Sequence, residues 1–509
     1  MLLAGGVWCA TLRSNSLPEF THSGRRSLRM QLSTQLDKAH NRVTVIRNGT
    51  VWTGGEQPRL LHDHDVVIES GRVASLEPRF SGRSDLDVDA EGCVVIPGLI
   101  NSHVHPGTSP RSRGLAEDIT LPDGAAYYHM TMPVQMVSPE FISPEDLAPI
   151  VEWGCLAMLL GGATTIVAEQ FGSADTWISL VDRLGFRSDL GKSFPSTYAA
   201  IGYYDKSTGR VVLGDPGDIA SGLAENLALH DRWHGAFDDR LRIHLSPHGP
   251  DTVPEEVLRE TRRQADQRNI TIHLHLAQHK LELETVARKS QGMSSVAYLD
   301  SIGFLGSDVM TTHCTYLQPG DFPILARTGT HCVHIAYRKA KEALTSPFWE
   351  FLDQGINVAL ATDSYSHDFI LDMKFAAMLG KIRSGAGGRI TAERVLRCAT
   401  WGAAKALRRS DLGHLEPGAQ GDAVIVDLTS VFNAPVFDPI KALVYYSTAA
   451  NIRATLVSGR PVVMNGRVPG SDMERVRAHT TECCRRLWRG AADRGALPSG
   501  VFYPDPCAC

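Results

Sequence analysis

Val95-Ile96-Pro97-Gly98-Leu99-Ile100-Asn101-Ser102-His103-Val104-His105 is the stretch on which the fold turns. An apolar run of strand character ends in two histidines two residues apart, and Pro106-Gly107 stops the strand. Residues i and i+2 of an extended strand share a face, so His103 and His105 project side by side at the strand's C-terminal end. Parallel α/β folds place their chemistry there, and paired imidazoles suit a divalent metal. Spaced histidines also occur as core packing, so the pair alone decides nothing. The ends of the later strands do.

From Pro97 to Arg409 helical and strand segments alternate, the mark of a parallel βα architecture. Pro144–Leu160 reads as a helix, with Ser143 as its cap, proline at its first position and Gly161-Gly162 at its end. Thr164–Ala168 reads as a strand and Ala174–Leu184 as a helix. The strands Leu241–Ser246, Thr271–Leu276, Val309–Cys314, Thr330–His334 and Asn357–Ala361 follow, with helices over Val253–Gln267 and Lys280–Ser290 between them. Strand ends carrying His, His, His and Asp in this order fit a (β/α)8 TIM-like barrel with its site on the C-terminal face.

Short strands with Asn-Gly and Ser-Gly turns fill Val43 to Val95, and the same texture returns at Gly421–Asp427, Ala454–Val457 and Pro461–Met464. The expected class is therefore α/β, a barrel with a small β-sandwich built from both chain ends. Its parts are a disordered leader (1–41, with Met30 an alternative start), β-sandwich segments at 42–96 and 411–468, a catalytic barrel at 97–410, and a C-terminal helix and tail at 469–509.

A chain of 509 residues is long enough for a large barrel and a satellite domain, and its 43% hydrophobic and 21% charged content is ordinary for a globular protein. With 51 basic and 56 acidic residues the net charge is −5, which argues against a nucleic-acid partner. No apolar run reaches the roughly 18 residues of a membrane span. The first ten residues lack the basic start of a signal peptide. The ten cysteines are scattered without a CxxC pair, as expected of reduced thiols in the cytoplasm.

In Thr271-Ile272-His273-Leu274-His275-Leu276 the two histidines share a face, and His275, nearer the C-terminal end, is the one expected to reach the mouth. His273 reads as a core residue. His313 ends the next strand and Asp363 the last. Imidazoles with one carboxylate suit zinc, and also iron or cobalt, with positions open for water. A bound metal lowers the pKa of that water towards about 7 and so generates hydroxide at neutral pH. Asp363 can accept the proton, while His313 polarises the substrate or shuttles a proton.

Between about Val43 and Val468 the chain resembles the amidohydrolase superfamily, in its mononuclear branch of atrazine chlorohydrolase, triazine hydrolases and cytosine deaminase-like enzymes. The residues that carry the likeness are Pro97–His105, Arg113-Gly114, Gly162-Ala163-Thr164-Thr165, Ser246–Pro250 and His275-Leu276-Ala277. Thr312-His313-Cys314, Ala361–Ser364 and Leu371-Asp372-Met373 complete them. The resemblance implies one divalent metal, zinc foremost, on His103, His105, His275 and Asp363, with His313 catalytic, His248 touching substrate, and a homodimer.

Two departures bear on the reaction. The family usually has Glu three residues after the third ligand histidine, where this chain has Gln278, which cannot titrate. His-Cys-Pro-x-Ser-Asn is replaced by His334-Ile335-Ala336-Tyr337-Arg338-Lys339. Gln278 is expected to orient water or substrate. His334, Tyr128 and Tyr337 are candidate substrate contacts, Arg338 and Lys339 read as solvated loop cations, and Glu282 and Glu284 as solvent-facing. The sequence thus points to a metal-dependent hydrolase of a non-peptide C–N bond (amide, urea or carbamate) in a small aromatic or heteroaromatic molecule. The alternatives are hydrolytic deamination of an N-heterocycle, a retired catalytic fold that only binds, and a lyase or isomerase using the metal as Lewis acid.

Overall fold

The computed structural model of the chain describes residues 42–497, apart from 116, 118–126, 172, 196–200, 206–209 and 215–218. The expected leader, the end of the tail and Gly172 lie outside these residues. Strands β1 (Val43–Trp52), β2 (Leu60–Glu69) and β3 (Arg72–Glu77) form an antiparallel meander, and β4 (Leu86–Asp89) and β5 (Cys93–Pro97) run parallel to β1. Ser70 and Gly71 join β2 to β3 with φ of 50° and 82°, the positive values that a tight hairpin turn demands.

The barrel follows in eight positions. They are β6 (Leu99–Val104), β7 (Ala163–Gln170), β8 (Arg187–Phe194), the interrupted strand β11 (Leu241–Ile243) with β12 (Ser246–Pro247), β13 (Ile272–Leu276), β14 (Val309–His313), β15 (His331–His334) and β16 (Val358–Leu360). A separate hairpin, β9 (Gly202–Asp205) with β10 (Arg210–Leu213), lies between β8 and β11. Every lateral pairing in the barrel is parallel. Parallel bridges from Leu245 to Ile272 and from Val104 to Asp363 join its two arcs and close the ring. Ile100, Val167, Met310, Val333 and Ala359, one from each of five strands, pack together as the apolar floor of the lumen.

The sheet begun by β1–β5 is completed from the other end of the chain by β17 (Ala423–Asp427), β18 (Ile452–Val457) and β19 (Arg460–Met464). The strands expected to form a sandwich are hydrogen-bonded into a single eight-stranded sheet. Alternation explains how it serves two cores: Cys93, Val95, Ala423 and Ile425 point into the sheet's own cluster, while Val94, Ile96, Val424 and Val426 face the barrel's helices. The helix Met473–Asp493 follows, and buries Cys483, Leu487 and Ala491 against Ile150 of the helix Pro144–Leu160. Among the described residues no helix is long and apolar enough to cross a membrane.

Arg187, at the base of β8 and 2% exposed, ties the barrel to this sheet. It donates to both Asp422 oxygens at 2.8 and 3.1 Å, and to Gln420 Oε1 and Ser458 Oγ at 2.6 Å each. Arg187→Met strands a buried carboxylate, so it is expected to lower unfolding stability by about 3–5 kcal/mol. Urea titration checks this; an unchanged midpoint would mean that the network contributes nothing net.

Candidate active site

Strand alternation alone does not bring the first two histidines into the lumen. Ile100 faces inward, so a regular strand would turn His103 outward. Between Asn101 and Val104 the register with β7 slips by one residue, a bulge that reverses the alternation. Val104 then packs outside with Ile166 and Ala168, and His103 and His105 point in. At the other strand ends the backbone adopts left-handed values at Ala277 (φ 48°), His313 (81°) and Asp363 (57°), which non-glycine residues seldom hold and which cluster at functional sites.

These residues converge. His103 Nε2 lies 3.2 Å from His105 Nε2, and the His275 ring sits 4.9 Å from that of His103 and 5.4 Å from that of His313. Asp363 Oδ1 is 3.9 Å from His105 Nε2, and its Oδ2 is 3.9 Å from His313 Nε2. His275 Nδ1 shares a hydrogen bond with the carbonyl of His248 at 2.9 Å, which fixes its ring. His248 Nδ1 is held in turn by Thr252 Oγ1 at 2.9 Å.

Burial, reinforced by neighbouring imidazoles and cations, pushes His103, His248 and His313 well below the usual histidine range, and burial lowers His105 and His275 as well. All are therefore neutral at pH 7, the form that coordinates metal. Burial pushes the Asp363 carboxyl up, but Arg338, then His105 and His275, outweigh it and hold the group below the carboxylate norm. The donor set fits a divalent ion. Among the described residues one Glu169 oxygen is buried without a hydrogen-bond partner, and His103, His105, His275 and Glu169 present donor atoms all within 4.8 Å of one another. Glu169 was not anticipated, although its position two residues beyond the inward Val167 marks it as a lumen residue.

Several expectations need correction. Arg338 and Lys339 are not solvated: both are buried, because the carboxylates of Asp363 and Glu342 compensate them. Arg338 Nη1 donates to Asp363 Oδ2, Arg338 Nη2 lies 3.5 Å from Glu342, and Lys339 Nζ donates to Glu342 at 3.0 Å. Glu282 is not solvent-facing either. It is 1% exposed and accepts the backbone N–H groups of Ala277 at 2.7 Å and Gln278 at 2.9 Å. His334 follows the inward Val333, so alternation turns it out of the lumen, where it stacks on Phe348 at 4.6 Å. Tyr337 packs edge-on against Phe375, and Tyr128 stands behind the wall, accepting from Gln278 Nε2 at 3.3 Å and bonded to His279 at 3.0 Å. His273 is a core residue as expected, stacked on His244. The cavity itself is lined by His105, Tyr127, Phe171, His248, His275, Gln278, His313, Arg338 and Asp363, with about 20 Å3 of space, room for roughly one water.

Residues 94–462 match the model of the amidohydrolase family. The chain belongs to the amidohydrolase family. Among its relatives is 5'-deoxyadenosine deaminase of Methanosarcina barkeri, 30% identical over 87% of this chain and 98% of that one. Another is 5-methylthioadenosine/S-adenosylhomocysteine deaminase of Pelotomaculum thermopropionicum, 28% identical over 87% and 98%. The zinc-bound crystal structure of an adenosine deaminase from Xanthomonas campestris shares the fold, with a TM-score of 0.77, 24% identity and coverage of 88% and 98%. This amidohydrolase is a hydrolase of carbon–nitrogen bonds other than peptide bonds.

Proposed function

We propose that this amidohydrolase is a deaminase that replaces the exocyclic amino group of a purine-like heterocycle by oxygen, releasing ammonia. The observation that carries the reading is the convergence of His103, His105, His275, His313 and Asp363 at one barrel mouth, in a chain that aligns with a 5'-deoxyadenosine deaminase over 87% of its length. His103, His105, His275 and Asp363 would hold one divalent ion, zinc foremost. Such an ion lowers the pKa of a bound water to about 7 and so supplies a nucleophile at neutral pH.

The rest falls to the chain. Asp363 Oδ2, between Arg338 and His313, accepts the proton of the attacking water, and Arg338 keeps that oxygen in place. His313, neutral and 3.9 Å from the same oxygen, passes a proton towards the leaving amine. Gln278 lines the cavity with its amide anchored on Tyr128, and hydrogen-bonds the heterocycle's edge without transferring a proton. Phe171, Tyr127 and His248 line the same cavity, and because it has room for about one water as it stands, these side chains must give way for the ring to enter beside them. The same reading has the enzyme act in the cytoplasm as a homodimer on a freely diffusing small molecule.

One observation favours a second reading. Gln278 is a residue that cannot titrate, and an amide, urea or carbamate contains no ring nitrogen to be protonated. Ammonia release across aminated purines and triazines, beside amine release from anilides and phenylureas, separates the two. Gln278→Glu is expected to speed deamination by about 10- to 100-fold, up to the lower end of what a positioned general acid–base group contributes. Amine release with no ammonia from any heterocycle, and no gain in Gln278→Glu, would sink the deaminase reading.

A further inference from the structure

We infer that Glu169 is a metal ligand, supplying a carboxylate to the ion held by His103, His105 and His275. The inference rests on the metal-site reading above and adds a donor to it. Glu169 lies at the C-terminal end of β7, facing the lumen two residues above Val167 of the apolar floor, and is 5% exposed. Its carboxylate lies within 4.8 Å of the donor atoms of all three histidines, while those donor atoms lie equally close to one another.

Two features separate it from an ordinary buried acid. Oxygen Oε1 is fully buried with no hydrogen bond of normal geometry among the described residues, the nearby Ser193 hydroxyl being unpartnered as well, and an unsatisfied buried carboxylate oxygen is costly. A cation among the three imidazoles satisfies it. Second, the carboxylate expected to complete the site, Asp363, shares its charge with Arg338 and so neutralises an ion only in part. Glu169 makes no such pair. Its nearest basic atom is His275 Nδ1 at 3.8 Å, and that nitrogen is already engaged by the His248 carbonyl at 2.9 Å.

The buried trio Asp189, His244 and His273, deeper in the same lumen, shows what a packing cluster looks like by contrast. There His244 Nδ1 bonds Asp189 at 2.9 Å, and the His244 and His273 rings lie parallel with centroids 3.8 Å apart, so no ion can sit in both ring planes.

Cobalt(II) loaded into the metal-stripped full-length enzyme tests the inference through its visible absorption, alongside affinity measured against a chromophoric chelator. Glu169→Gln is expected to weaken cobalt binding by about 1000-fold, beyond the roughly 10–100-fold that losing an outer hydrogen-bond partner costs, and to shift the d–d bands as a donor is lost. Glu169→Asp keeps the charge on a shorter arm and is expected to shift the bands while recovering most of the affinity. Where Glu169→Gln does not fold, Glu169→Asp alone decides. Bands identical to wild type in the folded variant overturn the inference even if affinity falls, because only an outer role would then remain. Failure of the wild-type chain to take up cobalt, zinc or iron overturns the inference together with the metal-site reading; cobalt uptake with unmoved bands overturns Glu169 alone.

Discussion

His275→Ala is expected to lower turnover by at least about 10⁴-fold, since the ion supplies several kcal/mol of transition-state stabilisation as well as the nucleophile, and each 1.4 kcal/mol is tenfold. The residue is chosen for its geometry. Its ring is fixed by the His248 carbonyl and faces His103 at 4.9 Å and His105 at 5.6 Å, so it closes the ligand set from the opposite side of the barrel. Metal analysis of the purified variant should find well under one equivalent. Thermal melting gives an independent check. Wild-type protein gains about 2.7 kcal/mol when free metal reaches 100 times its dissociation constant, and the variant should lose that shift. A variant that keeps both its metal and its turnover would remove His275 from the site.

The barrel was legible because its punctuation is local. Ser143 with its proline, Gly161-Gly162 and the Pro-Gly after His105 mark element ends by their own backbone demands, and the strand ends then fall into sequence order around the mouth. The end-to-end sheet was legible for the same reason at Ser70-Gly71 and Ser458-Gly459, which turn hairpins, whereas Asn48-Gly49, read as another turn, is a bulge inside the continuous strand β1. What escaped depends on partners far away in the chain. Arg338 and Lys339 look like surface cations until Asp363 and Glu342 are seen to enclose them. Glu282 looks like an exposed helix residue until the strand end before it needs two carboxylate acceptors. The inward turn of His103 and His105 rests on a bulge against β7 that no residue of β6 announces. His334 was within reach, however. Val333 and Ile335 are the apolar neighbours that a lumen-facing alternation selects, and they leave His334 facing the helices.

His313→Asn distinguishes an enzyme from a binding protein on the same scaffold, with an expected loss in turnover of about 10²- to 10⁴-fold at unchanged metal content. Asparagine is the replacement of choice because position 313 has a φ of 81°, and asparagine tolerates the left-handed region better than most residues, so the strand end should survive. His313 donates no hydrogen bond through Nδ1 among the described residues, and its Nε2 faces Asp363 Oδ2 at 3.9 Å, which leaves proton traffic with Asp363 as its chemical use. Burial first, then Lys339 and Arg338, hold its pKa well below the usual histidine value, so it is neutral throughout the physiological range. The defect of the variant should accordingly be the same between about pH 6 and 8, on the alkaline side of that depressed pKa. Titration of the lost group within that range would instead make the defect shrink as pH falls, because the wild type would itself lose the neutral imidazole that moves the proton. Ligand binding is expected to persist in His313→Asn, because the cavity wall there changes by only one ring edge. Unimpaired turnover of a substrate that the wild type converts would show that His313 moves no proton, and the transfer would then lie with Asp363 alone.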